Sequence, residues 1–232
     1  MLNKNAVVHA AKVVLARVGA RAPGIAVQAV RLASDYFALG RWLTSHGFDT
    51  SVTVRGREGV FAAIADRVAN LQVLYLEFGV FEGASLRYWS QALHHPKSEL
   101  HGFDSFQGLP ETFDGYSYPK GRFDRGGNTP LIDDPRITYH VGWFDQTLPV
   151  FDIPAHDQLV VVLDADLYSS TKLALDHLAR AIKPGAILYF DELSRVDHEP
   201  AAFTDFMSTN DRHFEVLALE DTFNNGAFIC VA

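Results

Sequence analysis

Apolar positions along the chain recur with two periods. Residues 73–78, VLYLEF, are a short, almost unbroken apolar run that ends in Gly79 and Gly83, which predicts a buried parallel strand turning directly into a helix. A second apolar segment closes at Asp104, and others lie at 137–141, 159–163, 186–190, 213–219 and 227–231. Helical spacing fills 58–70, 85–93, 170–182 and 201–207. Strands alternating with helices predict an α/β fold: a Rossmann-like, mostly parallel seven-stranded sheet. The short connection EDTFNNG predicts an antiparallel C-terminal hairpin at the edge of that sheet.

Before this pattern begins, residues 6–19 place Val7, Ala11, Val14 and Val18 on one helical face, and the pattern stops near Gly19 and Pro23. A second helical segment over 25–42 ends near Gly47, and residues 49–56 read as polar and irregular. The expected organisation is an N-terminal helical segment over 1–48, then one domain over 49–232. The first segment carries six Lys/Arg against the single acid Asp35, although the chain as a whole is at −8. A basic helix with a valine and alanine face packs on the domain as a lid or, as expected here, on a second copy in a homo-oligomer. A surface-lying membrane helix is the lesser alternative. Lys12, Arg17, Arg21 and Arg31 interrupt any run of transmembrane length, and Lys12 and Arg17 fall inside what would be the apolar core of a signal peptide.

With 48% hydrophobic and 21% charged residues, the 232-residue chain supports one full-sized core. Its net charge argues against general nucleic-acid binding, which needs a basic face. The single cysteine, Cys230, can form no internal disulfide, which fits a reducing compartment and hence the cytoplasm.

Chemistry gathers at the expected strand ends. Gly79 and Gly83 let a ligand approach the backbone while the following helix N-terminus faces it, and Asp104 closes a neighbouring strand where ribose hydroxyls would be gripped. The bland alternative is a tight strand-to-helix connection. Residues 105–136 are crowded with Gly, Pro and Asp, and a loop of that length inside a compact domain predicts a lid. The strand LVVVL delivers Asp164 and Asp166, and AILYF delivers Asp191 and Glu192, to the same sheet edge. Several carboxylates that close need a cation or a shared proton, and a hard ion such as Mg²⁺ suits oxygen ligands. Alternatively, some of these acids cap helices or sit in water.

Two other enzyme classes fit less well. VVVLDADLYSST has the DxD of a metal-dependent phosphatase loop, but such a core begins with that strand. A nicotinamide oxidoreductase needs GxGxxG, where this chain has GxxxG. A non-catalytic S-adenosylmethionine-binding protein would leave the four acids without a purpose.

Taken together, EFGVFEGASLR, GFDSFQGLPE, GWFDQTLP, LDADLYSST and KPGAILYFDE resemble the class I S-adenosylmethionine-dependent methyltransferases, specifically the macrocin O-methyltransferase family of Mg²⁺-dependent sugar and natural-product enzymes. The resemblance runs from about residue 71 to the C-terminus. It implies that Glu77, Gly79 and Gly83, with Phe78, Val80 and Ser85 in the same turn, cradle the methionine part of the cofactor. Asp104 would hold the ribose beside Ser105 and Phe106, and Gly142 and Trp143 would border the adenine. Asp164 would face the cofactor and, with Asp191 and Glu192, bind Mg²⁺; Glu192 stands where many relatives have a second aspartate. Asp166 is the nearest general base for a small-molecule or oligosaccharide hydroxyl, with His140 and His198 behind it.

Overall fold

The computed structural model describes residues 4–113 and 118–232. Two helices, α1 (Lys4–Gly19) and α2 (Gly24–Ser45), lead into β1 (Thr53–Val54), α3 (Gly56–Val68), β2 (Val73–Phe78) and α4 (Ala84–Ala92). The chain continues through β3 (Glu99–Asp104), β4 (Ile137–Val141), α5 (Phe144–Thr147), β5 (Gln158–Leu163), α6 (Tyr168–Leu178), β6 (Ile187–Phe190), α7 (Glu199–Asn210), β7 (Phe214–Glu220) and β8 (Gly226–Cys230). The strands form one sheet in the order β1-β7-β8-β6-β5-β2-β3-β4. Only β8 runs antiparallel to its neighbours, β6 and β7.

Side-chain alternation explains the layers. Along β2, Leu74, Leu76 and Phe78 enter one core with Val161, Leu163, Phe190 and the inner faces of α6 and α7. Val73 and Tyr75 enter the other with Val160, Val162 and residues of α3 and α4. A strand buried on both faces needs helices on both sides of the sheet, as βαβ crossovers provide. Each fully buried Leu or Phe in these layers contributes about 1.5–3 kcal/mol relative to exposure.

All seven expected strands form, and an eighth joins them. The two-residue β1 pairs in parallel with β7 through Thr53 and Leu219, so the segment expected to be irregular contains an edge strand. The C-terminal hairpin therefore lies inside the sheet: β8 is flanked on both sides and β1 takes the edge.

Burial is uneven along the N-terminal helices. Val7, Val14, Val18, Ile25, Val30 and Phe37 are exposed, whereas Leu39, Trp42, Leu43 and Phe48 are buried. The Trp42 indole donates to Thr204 Oγ1 at 2.8 Å, and Phe48 stacks on Phe203 with ring centroids 6.2 Å apart. The last turns of α2 thus belong to the core that α7 completes. None of the helices among the described residues is long and apolar enough to cross a membrane.

Candidate active site

Strand order decides where a ligand can sit. The chain adds β3 and β4 on one side of β2 and then places β5 on the other, so a crevice opens at the carboxyl ends of β2 and β5, where the direction of winding reverses. A cavity of about 570 Å³ occupies it, within the range of small-molecule sites. Gly79, Val80, Asp104, Asp164, Asp166 and Asp191 line it, together with the aromatic residues Phe81, Tyr118, Phe123, Trp143 and Phe144.

The two sheet halves meet closely at Gly79. It has φ +91°, and a Cβ there would collide with the carbonyl oxygen of Asp164, so only glycine lets the β2 turn pass beside the end of β5. Adjacent backbone bonds hold the edge: the amide of Gly79 donates to the carbonyl of Phe103, that of Asp164 to Phe78, and that of Asp191 to Leu163. Asp164 and Asp191 therefore emerge side by side, one residue past the paired Leu163 and Phe190.

Asp104 lines the cavity, but its carboxylate also organises the turn opposite. Its Oδ2 accepts the amides of Val80 and Phe81, each at 2.9 Å, and its Oδ1 accepts that of Phe106 at 2.7 Å. Phe81 and Phe106 are both left-handed, with φ of 48° and 53°, a conformation that costs a bulky residue energy unless its surroundings hold it.

Glu77 is buried behind the turn and accepts the Tyr75 hydroxyl at 2.7 Å; that hydroxyl lies 3.1 Å from Ser85 Oγ. Burial pushes the Glu77 carboxyl up to about 8, although Tyr75 and Arg57 pull it down. Asp166 is left-handed, with φ 62°. Burial, and then the charge of Asp191, push its carboxyl up to about 7.

Described residues of the long loop after β3, among them Leu109, Tyr118 and Phe123, line the cavity. Leu109, Phe113 and Leu167 form a small core of their own with Tyr118 and Phe123 against it. Ser169 donates to Glu111 at 2.7 Å, and the amides of Arg125 and Gly127 donate to Phe106.

Residues 76–193, about half of the chain, match the methyltransferase domain family. The chain belongs to that family. A curated relative from Streptomyces olivaceus, 8-demethyl-8-(2,3-dimethoxy-alpha-L-rhamnosyl)-tetracenomycin-C 4'-O-methyltransferase, is 29% identical over 140 residues. That stretch covers 50% of this chain and 51% of the relative, so the chain matches only about half of the relative's length. Among solved structures, the calicheamicin methyltransferase CalS11 superposes with a TM-score of 0.60 at 21% identity, over 74% of this chain and 76% of its own. The O-methyltransferase NovP superposes with a TM-score of 0.55 at 21% identity, over 76% of this chain and 78% of its own. Both share the class I methyltransferase fold.

Within this methyltransferase domain the expected site residues separate. Gly79, Val80, Asp104, Ser105, Trp143, Asp164, Asp166, Asp191 and Glu192 line one cavity. Phe78 is instead core, stacked on Phe103 at 4.9 Å. Glu77, Ser85 and the buried Phe106 support the turns from behind. Gly83 is the left-handed residue ahead of α4, packed under Pro130 and Ile132, and Gly142 is bonded through its amide to the Asp104 carbonyl.

His140 is corrected as a catalytic candidate: it stacks on Phe103 at 4.3 Å and meets His101 at 3.0 Å, off the cavity lining. His198 likewise packs against Phe113, with ring centroids 4.5 Å apart.

Sequence reasoning missed Arg57. Its Nη2 donates to Asp164 Oδ2 at 2.7 Å, and its Nε lies 3.1 Å from Asp191 Oδ1, a separation of ion-pair kind because the N–H is not aimed at the oxygen. Burial opposes the charge, but Asp191 and then Asp164 outweigh it and hold Arg57 above its ordinary range. The local signal is slight: an arginine in the first turn of α3, beside Glu58, has the wrong sign for a helix N-terminus.

The Mg²⁺ expected at Asp164, Asp191 and Glu192 does not fit this arrangement. Two of the three carboxylates already share a guanidinium, and no group of three His, Cys, Asp or Glu among the described residues is disposed to hold a metal.

Proposed function

We propose that this chain is an O-methyltransferase that moves a methyl group from S-adenosylmethionine to a hydroxyl of a sugar or glycosylated natural product. The observation that carries the reading is the cavity at the switch point, where the β2 turn, Asp104 and Trp143 form one side and Asp166 the other. The curated relative is named for a rhamnosyl acceptor, and a further CalS11 structure, with a TM-score of 0.51, is titled a TDP-rhamnose 3'-O-methyltransferase. A deoxyhexose hydroxyl is accordingly the acceptor of choice.

The residues fit the cofactor. Gly79, Val80 and Ser105 line the cavity beside the end of β2, Asp104 retains acceptor capacity for a ribose hydroxyl, and Phe81 and Trp143 offer flat apolar walls for adenine. When bound, S-adenosylmethionine supplies a sulfonium-activated methyl group whose C–S bonding pair leaves with sulfur. Asp166 takes the acceptor's hydroxyl proton while the new oxygen–carbon bond forms, and its raised affinity for protons suits a base near neutral pH. The loop after β3 and the aromatic walls exclude water and hold the oxygen in line with the methyl carbon. The magnesium requirement that the resemblance implies is no part of this reading, because Arg57 already pairs Asp164 and Asp191.

Around this core the reading sets a methyltransferase unit in the cytoplasm, with α1 and the first turns of α2 presenting their exposed apolar face to a second copy. Isotope-labelled S-adenosylmethionine offered with free and nucleotide-linked rhamnose, a rhamnosylated aglycone and the bare aglycone tests the acceptor. Label confined to bare aglycone, or appearing on nitrogen, refutes it. In the same assay the rate falls below about pH 7, as Asp166 is protonated, and Asp166→Asn slows turnover by on the order of 10² to 10⁴. An unchanged low-pH limb in that variant removes Asp166 as the base.

A further inference from the structure

The acids at the crevice already have a cation, and the chain itself carries it. Arg57 spans Asp164 and Asp191 from the first turn of α3, and its guanidinium lies over the rings of Phe61 and Tyr189 at 5.2 and 5.9 Å. Asp191 Oδ1 is further occupied by the Tyr189 hydroxyl, which donates at 2.6 Å, and by Asn225 Nδ2 at 3.3 Å.

We propose that Arg57 is the resident cation of this crevice, a positioning residue that holds Asp164 and Asp191 in place and shuts a divalent ion out. Mg²⁺ demands near-octahedral oxygen ligands at about 2.0–2.1 Å. Arg57 holds one oxygen of each carboxylate, Asp164 Oδ2 and Asp191 Oδ1, and two further groups approach the latter, so a divalent ion would have to bind the remaining oxygens beside a guanidinium that already neutralises their charge. Aromatic contacts hold the guanidinium against α3 and β6, and its charge repels an incoming cation. Its placement is costly for α3 on its own, since the helix dipole disfavours a basic residue there. The two aspartates are what offset that cost. The inference rests on this charge arrangement and is independent of whether the acceptor is a sugar.

The test is a binding measurement on the full chain with Mn²⁺ as a paramagnetic stand-in for Mg²⁺, followed by loss of the free-ion EPR signal. The wild-type protein is expected to leave the signal unchanged into the millimolar range. Arg57→Ala is expected to take up Mn²⁺ at a site that Mg²⁺ competes for and that an added Asp164→Asn removes. Arg57→Met keeps an apolar stem over Phe61 and Tyr189 and serves where the alanine variant fails to fold. Uptake by the wild type that Asp164→Asn abolishes would overturn the proposal. So would a folded Arg57 variant that gains no site. Because no methyl acceptor enters the titration, its outcome stands apart from that of the transferase assay.

Discussion

The buried carboxylate of Glu199 accepts the backbone amide of Glu192 at 3.0 Å. Its other oxygen accepts the amide of Ala165 at 3.3 Å, so one side chain at the start of α7 ties together the loops that carry Asp166 and Asp191. Glu199 is fully buried, so its removal takes from both amides the partner that they have in the folded chain. Glu199→Ala is therefore expected to destabilise the protein by about 1–3 kcal/mol for each donor left unpaired. Glu199→Gln keeps a single acceptor and loses less. Urea unfolding of the three proteins checks the order, and an alanine variant as stable as the wild type means that the tie is not structural.

A variant at Asp104 is expected to lose two things at once. Its carboxylate carries three backbone amides and holds Phe81 and Phe106 in left-handed conformations. Asp104→Ala should lower the melting temperature as well as weaken S-adenosylmethionine binding, the latter by roughly ten- to a hundredfold if charge-assisted bonds to the ribose are lost. Asp104→Asn, which keeps one oxygen acceptor, should fall between. Calorimetry and cofactor titration on the same samples separate the effects; weakened binding with an unchanged melting temperature would show that the turn does not need Asp104.

The parts of the fold that were legible in the sequence are those with a local period. Alternation along Val73–Phe78 places Leu74, Leu76 and Phe78 on one face and Val73 and Tyr75 on the other, as the structure has them. The acids at the ends of β5 and β6 were legible for the same reason: a strand's last residue delivers its neighbour to the sheet edge. What was not legible depends on distant partners. Thr53 and Val54 are a strand only because Leu219 and Glu220 lie beside them. Arg57 meets Asp164 across 107 residues of chain, and His140 leaves the site because Phe103, Phe151 and His101 pack around it. The place of Asp104 at a strand end beside the cavity could be anticipated, while its grip on three amides depends on a loop shape that no spacing encodes.

Position in the core separates the two N-terminal helices into a removable part and an essential part. Deleting residues 1–23 takes away exposed valines and, among the described residues, no buried side chain of the core, so folding stability should be retained while an assembly built on α1 dissociates. Trp42→Ala, by contrast, opens a hole beside Phe48, Phe203 and Phe228 and takes the indole donor away from Thr204 Oγ1, which keeps its own bond to the Pro200 carbonyl. A loss of about 3–5 kcal/mol is expected. Light scattering reads the mass of the truncated protein and urea unfolding reads both stabilities. A truncated chain of unchanged mass assigns the assembly elsewhere.

The last prediction concerns pH and Glu77. Burial raises this carboxyl to about 8 in the folded protein, whereas in the unfolded chain it titrates near its ordinary value of about 4.3. Between those values the folded state holds a proton that the unfolded state has released, so stability falls as pH rises through this window. Below it both states are protonated, and above it both are ionised, so the Glu77 contribution has no slope outside the window. Asp166 and Glu199, also raised by burial, tilt the curve in the same direction, and only a comparison of variants isolates one residue. Glu77→Gln mimics the protonated form and can still accept the Tyr75 hydroxyl. Its advantage over the wild type should be small near pH 5 and grow to a few kcal/mol near pH 8, on the order of 1.4 kcal/mol for each unit of raised pKa at most. Urea unfolding of both proteins across that range, without cofactor, reads the difference. If the gap between them stays constant from about pH 5 to about pH 8, Glu77 is not held protonated in the folded chain.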